Sequence, residues 1–336
     1  SLRSRGLGDV YKRQENTVFY VKTNRSVQDK SRSKKTLSTI HMQAGRSIDT
    51  IFEVEGGISN YSLSKDGKSM YVITSEWSKE FKNIEDKNSE PMYYENLPFR
   101  FDTRGIIYNK RSHVYKVNIQ TKKFTKIVDG DAKDIISIES LVEGDKGLVL
   151  SFDQYNSKGT MLEEKIGAIE GSKIKEIYSK GSMGNLFYYE DELHAVGMRK
   201  RFDWPTNTTF LKISNTGNVS YKYRSFDRNI VKAEVNEDIL YFLYEDSGKT
   251  LLRDGTNNVD LINSKVTIKD FAFNNEQTFV IANSFSNPDE IYELNNGQLT
   301  KISKANEFFT KKVKTWDCQY KSCLLYTSPS PRDLKL

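Results

Sequence analysis

Cysteine is almost absent from this chain: 336 residues contain two, Cys318 and Cys323. A single pair near one end supplies neither a disulfide framework nor a zinc-type ligand spacing. Histidine is nearly as scarce, with His41, His113 and His194 isolated from one another in the chain. No apolar run approaches the ~18 residues of a membrane span. No convincing amphipathic helix of ordinary length is found. Strong charge of one sign is missing as well, once the two ends are considered.

Those ends share an unusual relation. Asp9-Val10-Tyr11-Lys12-Arg13-Gln14 and Cys323-Leu324-Leu325-Tyr326-Thr327-Ser328 back-translate to opposite strands of one oligonucleotide, one base out of frame. That pattern resembles a translated sequencing-library adapter, so residues 1–14 and 323–336 are set aside as non-native and 15–322 carry the fold reasoning. The tails hold Arg3, Arg5, Lys12, Arg13, Arg332 and Lys335 against Asp9 and Asp333, a net of +4, which leaves +2 of the chain's +6. A nucleic-acid or membrane-surface partner loses its electrostatic basis. Cys318 is then the one remaining cysteine, which fits a reducing cytoplasm.

What is present is β structure. Aromatics make up 12% of the chain. Short runs of β-branched, aromatic and other apolar residues recur, among them Val18–Val21, Met70–Ile73, Leu148–Leu150, Leu240–Tyr244 and Phe279–Ile281. Most are flanked by turn residues, which is a strand signal. The turns are periodic: Lys65-Asp66-Gly67-Lys68, Gly144-Asp145-Lys146-Gly147, Glu190-Asp191-Glu192, Asn236-Glu237-Asp238 and Asn274-Asn275-Glu276 each precede an apolar run. Asp145, Asp191 and Glu237 stand 46 residues apart. After each run come two further strands joined by a tight turn, the last beginning at Phe124, Ile174, Val219, Val259 and Leu299. Four strands per repeat at a period of about 40–45 residues is the signature of propeller blades. A lone blade cannot bury both faces of its sheet, and stacking around an axis supplies the missing core. The expected fold is all-β: a β-propeller of four-stranded blades. About six blades of a seven-bladed parent are present, the first lacking its opening strand and residues 308–322 beginning a linker. A stacked β-sandwich is the competing architecture, but it needs no such period.

One repeat is interrupted between Ser75 and Ile106. Lys82–Glu90 is charged and reads as solvated, whereas Pro91–Gly105 is dense in aromatics and reads as anchored. This second part holds Leu97-Pro98-Phe99-Arg100-Phe101-Asp102-Thr103-Arg104-Gly105, followed by Lys110-Arg111-Ser112-His113-Val114-Tyr115-Lys116-Val117. The pair of segments resembles the propeller of acylaminoacyl-peptidase-like members of the prolyl oligopeptidase family, whose pattern runs approximately Pro-Tyr-Arg-Phe-Asp-Gly-Arg-Gly, then Arg-Arg-Ser-His-Leu-Tyr. This chain departs from it at Phe99, Thr103, Lys110 and Val114. Ser64–Lys68 is similar to the family's blade turn, and Ser284–Tyr292 with Asn306 is similar to its last-blade signature.

The resemblance implies a propeller that gates an α/β-hydrolase domain, admitting short or N-acylated peptides to a Ser-Asp-His triad. No Gly-x-Ser-x-Gly elbow occurs in the sequence. The catalytic residues are therefore expected outside this chain, which would be inert alone, with the missing hydrolase as its partner. No cofactor or metal pattern accompanies the resemblance, and homo-oligomerisation stays open.

Arg100, Asp102 and Arg104 are the substrate-contact candidates. One reading has the arginine forks meeting a substrate carboxylate or backbone. The other has an ion pair with Asp102 pinning the insertion. His113 has no Ser or Cys partner in a motif and reads as a strand-edge histidine with a structural hydrogen bond. The basic run Arg25–Lys35 reads as a solvated loop, and Trp204, in Phe202–Pro205, as a core anchor or a cavity wall. Trp316 and Cys318 read as exposed without a following domain. A non-enzymatic propeller acting as an interaction scaffold is the alternative function, and the fold alone does not separate the two.

Overall fold

The structure, a computed structural model, describes residues 17–25, 36–44, 46–82, 93–97, 100–101, 105–171, 173–200, 206–222, 226–262, 266–274 and 277–316. The chain forms six successive antiparallel sheets, each a meander in chain order. Blade one has three strands, Thr17–Arg25, Thr36–Ala44 and Ser47–Glu55. Blade two runs Gly57–Leu63, Ser69–Trp77, Lys110–Asn118 and Phe124–Val128; blade three runs Ile135–Gly144, Gly147–Tyr155, Leu162–Glu170 and Lys173–Tyr178. Blade four comprises Ser182–Tyr189, Glu192–Met198, Thr209–Ile213 and Val219–Tyr221. Blade five comprises Ile230–Asn236, Ile239–Asp246, Lys249–Asp254 and Val259–Asp260, and blade six Thr267–Asn274, Gln277–Asn283, Glu290–Asn295 and Gln298–Lys301. The expected propeller is thus observed, with a three-stranded first blade. Among the described residues the helices are one-turn or slightly longer pieces, Lys79–Lys82, Gly130–Lys133 and Glu307–Lys312, and no helix is long and apolar enough to cross a membrane.

The core lies between blades. Tyr71 and Ile73 of blade two pack with Ile135, Ile138 and Leu150 of blade three, whereas Val72, between them in sequence, packs with Ile40 and Phe52 of blade one. Phe242 and Tyr244 join Phe187 and Phe210 of blade four, while the intervening Leu243 joins Phe271 and Val280 of blade six. Period-two alternation along each central strand therefore feeds two different interfaces. This accounts for the continuous apolar runs: both sides of the strand are interior.

Tight turns close the blades on one face. Glu190 and Asp191 take φ of 52° and 59° between Tyr189 and Glu192, which are paired across the hairpin, and Glu237 and Asp238 repeat this at 49° and 63°. Two left-handed residues make the type I′ turn that matches strand twist. Two of the periodic acidic turns seen in the sequence are these hairpins, while Asn275 and Glu276 lie outside the described residues.

From blade two to blade five, the first strands of successive blades neighbour one another around the axis. In each of blades two to six the register between first and second strands slips, at Ser59, Glu139, Asn185, Val231 and Lys269 respectively, with a second slip at Ile136 in blade three. Such bulges leave a backbone N–H without its ladder partner and turn a side chain out of the sheet. Polar groups cap the freed donors: Ser140 Oγ accepts from Leu186 N–H at 2.9 Å, Asn185 Oδ1 from Ala233 N–H at 2.6 Å, and Asp270 Oδ1 from Phe271 N–H at 2.9 Å. Two of these caps reach across to the next blade, and Lys232 adds a 2.6 Å ion pair to Asp270.

Candidate functional site

An antiparallel meander puts the turns between first and second, and third and fourth, strands on one face of the ring. The connections between second and third strands, and from blade to blade, lie on the other. The interrupted repeat occupies this second face, between Trp77 and Lys110 of blade two. It contains the turn of helix Lys79–Lys82 and a short hairpin pairing Arg100 with Ile106 and Phe101 with Gly105.

Aromatic contacts anchor the described part of the insertion, as its composition predicts. Tyr108 receives Tyr94 edge-on at 5.4 Å and Phe81 at 6.1 Å, and itself leans on Tyr155 of blade three at 6.3 Å. Leu97 N–H donates to Gly159 O at 2.6 Å, a second link to blade three. At the neck Ser78 N–H donates to Asn109 O, and Arg111, nearly buried, donates to Tyr108 O and pairs with Asp134 at 2.7 Å. Tyr108 and Tyr155 are both pushed up by burial, Tyr155 to about 12. The arm is thus fixed to two blades, and it carries Arg100 exposed to solvent. Asp102 and Arg104 lie outside the described residues, as do Phe202–Pro205, Cys318 and residues 26–35 of the basic run.

His113 has the structural hydrogen bond expected of it, although its strand is interior rather than an edge. It is 1% exposed, and its Nδ1 accepts from Gly130 N–H at 3.0 Å. Asp129 Oδ1 lies 3.2 Å from the same nitrogen, and Asp131 completes a group whose ligand atoms fall within 4.8 Å. A metal ion would find these donors engaged: Asp131 accepts from Lys79 N–H, and Asp129 is flanked by Lys79 and Lys126 at 3.7 and 3.8 Å. Burial holds the imidazole below its ordinary value, against the opposing pull of Glu76, Asp131 and Asp129. His194 is also buried and held low by desolvation, stacked on Phe187 at 5.6 Å.

Two clefts open beside the axis, sharing Gly184 and the bulged Asn185 as a common wall. The smaller, 320 Å³, lies between blades three and four and presents Glu139, Asp153 and Glu164. The larger, 570 Å³, lies between blades four and five and is lined by Asn207, Asn229 and Thr208 with apolar Val196 and Ile230. The acidic cleft favours cations electrostatically, while the larger one offers carboxamides and hydroxyls beside the Glu245 carboxylate. No sequence signal marked these residues, because they converge from separate repeats through the bulges.

The last-blade signature resolves into a buried carboxylate. Glu290 accepts from the Ser303 hydroxyl, from Ala305 N–H at 3.0 Å and from Asn306 N–H at 2.9 Å. Lys301 lies 3.2 Å away. Despite its burial, these donors hold the carboxyl down to about 2.

No protein-family model and no curated protein matches this chain. Among solved structures it is similar to the Pyrococcus horikoshii acylaminoacyl peptidase, at 13% identity and a TM-score of 0.65, over 93% of this chain and 55% of that one. An acylaminoacyl peptidase in complex with Z-Gly-Gly-Phe-chloromethyl ketone matches over the same shares at a TM-score of 0.66 and 13% identity. An oligogalacturonate lyase in complex with manganese matches at 9% identity and a TM-score of 0.50, covering 88% of this chain and 86% of that one. The chain spans about half the length of the acylaminoacyl peptidases it matches, and at these identities the likeness establishes one thing, the β-propeller fold.

Proposed function

We propose that this chain is the substrate-gating propeller of a serine peptidase acting on short or N-acylated peptides, with the catalytic α/β-hydrolase domain encoded beyond it. The observation that carries this reading is the blade-two insertion. It holds the most family-specific motif of the sequence, it is anchored by Tyr94, Tyr108 and Leu97 to two blades, and it presents Arg100 to solvent. Arg suits recognition of a carboxylate or peptide oxygen through its fixed fork of donors. The likeness to roughly half of a peptidase chain supports the same reading, as does the absence of a Gly-x-Ser-x-Gly elbow from these residues.

Chemistry elsewhere and gating here lead to a direct test. The chain alone hydrolyses neither acyl-peptide nor ester substrates, and the source reading frame continues into a domain with a nucleophile elbow. A frame lacking that elbow over the next hydrolase-sized stretch would sink the proposal. Activity in the isolated chain, abolished by a serine-directed inhibitor, would place the chemistry wrongly. An interaction scaffold is the second reading, favoured by the exposure of Phe285 (70%), Phe308 (72%) and Trp316 (79%). It predicts a continuing frame without hydrolase motifs.

A further inference from the structure

After the last strand of blade six, Gln298–Lys301, the chain crosses residues 302–306 and enters the helix Glu307–Lys312. That helix has no buried residue, and Phe308, Phe309, Val313 and Trp316 around it are all exposed. Apolar burial therefore does not hold this exit in place. Its order comes from polar contacts, three of which converge on one side chain, while the Ile302 and Ser303 N–H groups donate to Ile291 O at 2.9 and 3.3 Å.

The Glu290 carboxylate, 1% exposed, takes the Ser303 hydroxyl and the Ala305 and Asn306 backbone N–H groups, with the Lys301 ammonium beside it. Three of those four donors belong to the exit segment. The neighbouring backbone reinforces the arrangement: Asn306 Nδ2–H donates to Asp289 O at 2.6 Å, and Ser303 Oγ accepts from Ile291 N–H at 2.8 Å. Further out, the Thr315 hydroxyl donates to Ser286 O at 2.8 Å. A buried carboxylate stripped of its donors is strongly unfavourable, so release of the segment and exposure of the charge are coupled. Charge-assisted bonds to backbone N–H groups are also the stronger kind.

We propose that Glu290 is a positioning residue that fixes where and in which direction the chain leaves the last blade, holding the exposed helix Glu307–Lys312 in a set orientation through the Ser303, Ala305 and Asn306 donors. The role is independent of whether a hydrolase or a scaffold partner follows, so its failure and that of the peptidase reading are distinguishable. In the sequence, Glu290 lies within the last-blade signature Ser284–Tyr292, which by itself does not show that Ser303, Ala305 and Asn306 meet its carboxylate.

Trypsin reads this directly, because Lys304, Lys311 and Lys312 lie in the exit segment and Lys65 and Lys146 lie in distant tight turns. In the full chain, Glu290→Gln is expected to raise initial cleavage at Lys304 by about tenfold or more, in keeping with loss of a charge-assisted hydrogen bond, with cleavage at Lys65 and Lys146 unchanged. Ser303→Ala, which keeps the carboxylate and removes one donor, raises it by a smaller factor. Unchanged cleavage at Lys304 in a folded Glu290→Gln protein overturns the proposal. Equal acceleration at all sites overturns it too, since Glu290 would then be a general stabiliser. Should Glu290→Gln fail to fold, unchanged cleavage at Lys304 in Ser303→Ala has the same force, and selective acceleration there supports the role.

Discussion

On one face of the propeller Tyr189 passes to Glu192 through two residues; on the other, Trp77 reaches Lys110 only by way of residues 78–109. The two faces are made by the same strands and differ in what their connections must satisfy. A two-residue hairpin has to supply left-handed backbone at fixed positions, which Glu190, Asp191, Glu237 and Asp238 do. Its neighbours are also close: Lys65 pairs with Asp145 of the next blade at 2.5 Å, and Glu143 accepts from Lys65 N–H and the Tyr71 hydroxyl. The long connections are free of that geometric demand and hold instead the anchored arm, the His113 cluster and the chain exit at Glu290. Constraint sits on one side and candidate function on the other.

Two glycines with similar backbone put the contrast to its sharpest test. Gly217, on the tight-turn face, has φ +79°, and a Cβ there would stand 2.4 Å from Ile177 O of the neighbouring blade. Gly105, in the insertion, has φ +70°, and a Cβ there would meet nothing within 4 Å among the described residues. Gly217→Ala is expected to destabilise by about 2–3 kcal/mol in urea denaturation, combining left-handed backbone with a backbone clash. Gly105→Ala is expected to cost about 1 kcal/mol, for the backbone alone. Equal losses would remove the distinction between the faces.

Buried histidines sharpen it further. His194, beside the tight turn Glu190–Asp191, donates Nδ1–H to Glu192 O at 2.9 Å and leaves Nε2 buried without a hydrogen-bond partner among the described residues. His113, on the opposite face, has Asp129 within 3.2 Å. Both are held below 6.5 by burial, so the unfolded chain binds protons that the folded chain does not. Stability is therefore complete above about pH 6.5 and declines as pH falls below it. In thermal melts from pH 7 to 5, His194→Gln and His113→Gln are each expected to flatten this decline. The smallest effect expected is that of Arg100→Ala, within about 0.5 kcal/mol of unchanged stability since the side chain is exposed. On the proposed peptidase reading, kcat/KM of the full-length protein is expected to fall. The reverse result, a lowered melting temperature with unchanged kcat/KM, would make Arg100 structural.

Much of the fold is legible in the chain itself, for reasons that are local. Acidic turns 46 residues apart, apolar runs such as Met70–Ile73, and the aromatic insertion around Tyr94 and Leu97 all depend on a few consecutive residues. Turn chemistry and strand propensity are short-range, and a repeated pattern of them specifies a repeated blade. The continuous apolar runs even show that both sides of the central strands are buried. They do not show that Val72 faces one blade and Tyr71 the next, which requires neighbours on both sides.

The candidate site is less legible, and the reason is the same in each part of it. Glu290 belongs to the last-blade signature, but its burial and its donors arise only when Ser303, Ala305 and Asn306 fold back upon it. Glu139, Asp153 and Asn185 become walls of one pair of clefts only because bulges in separate blades align around the axis. By itself, the sequence determined the blades, their turns and the place where the repeat is interrupted, because each depends on the chemistry of adjacent residues. Tertiary structure alone decided which side chains meet across blades, since those contacts join residues far apart in the chain and arise only when the sheets stack.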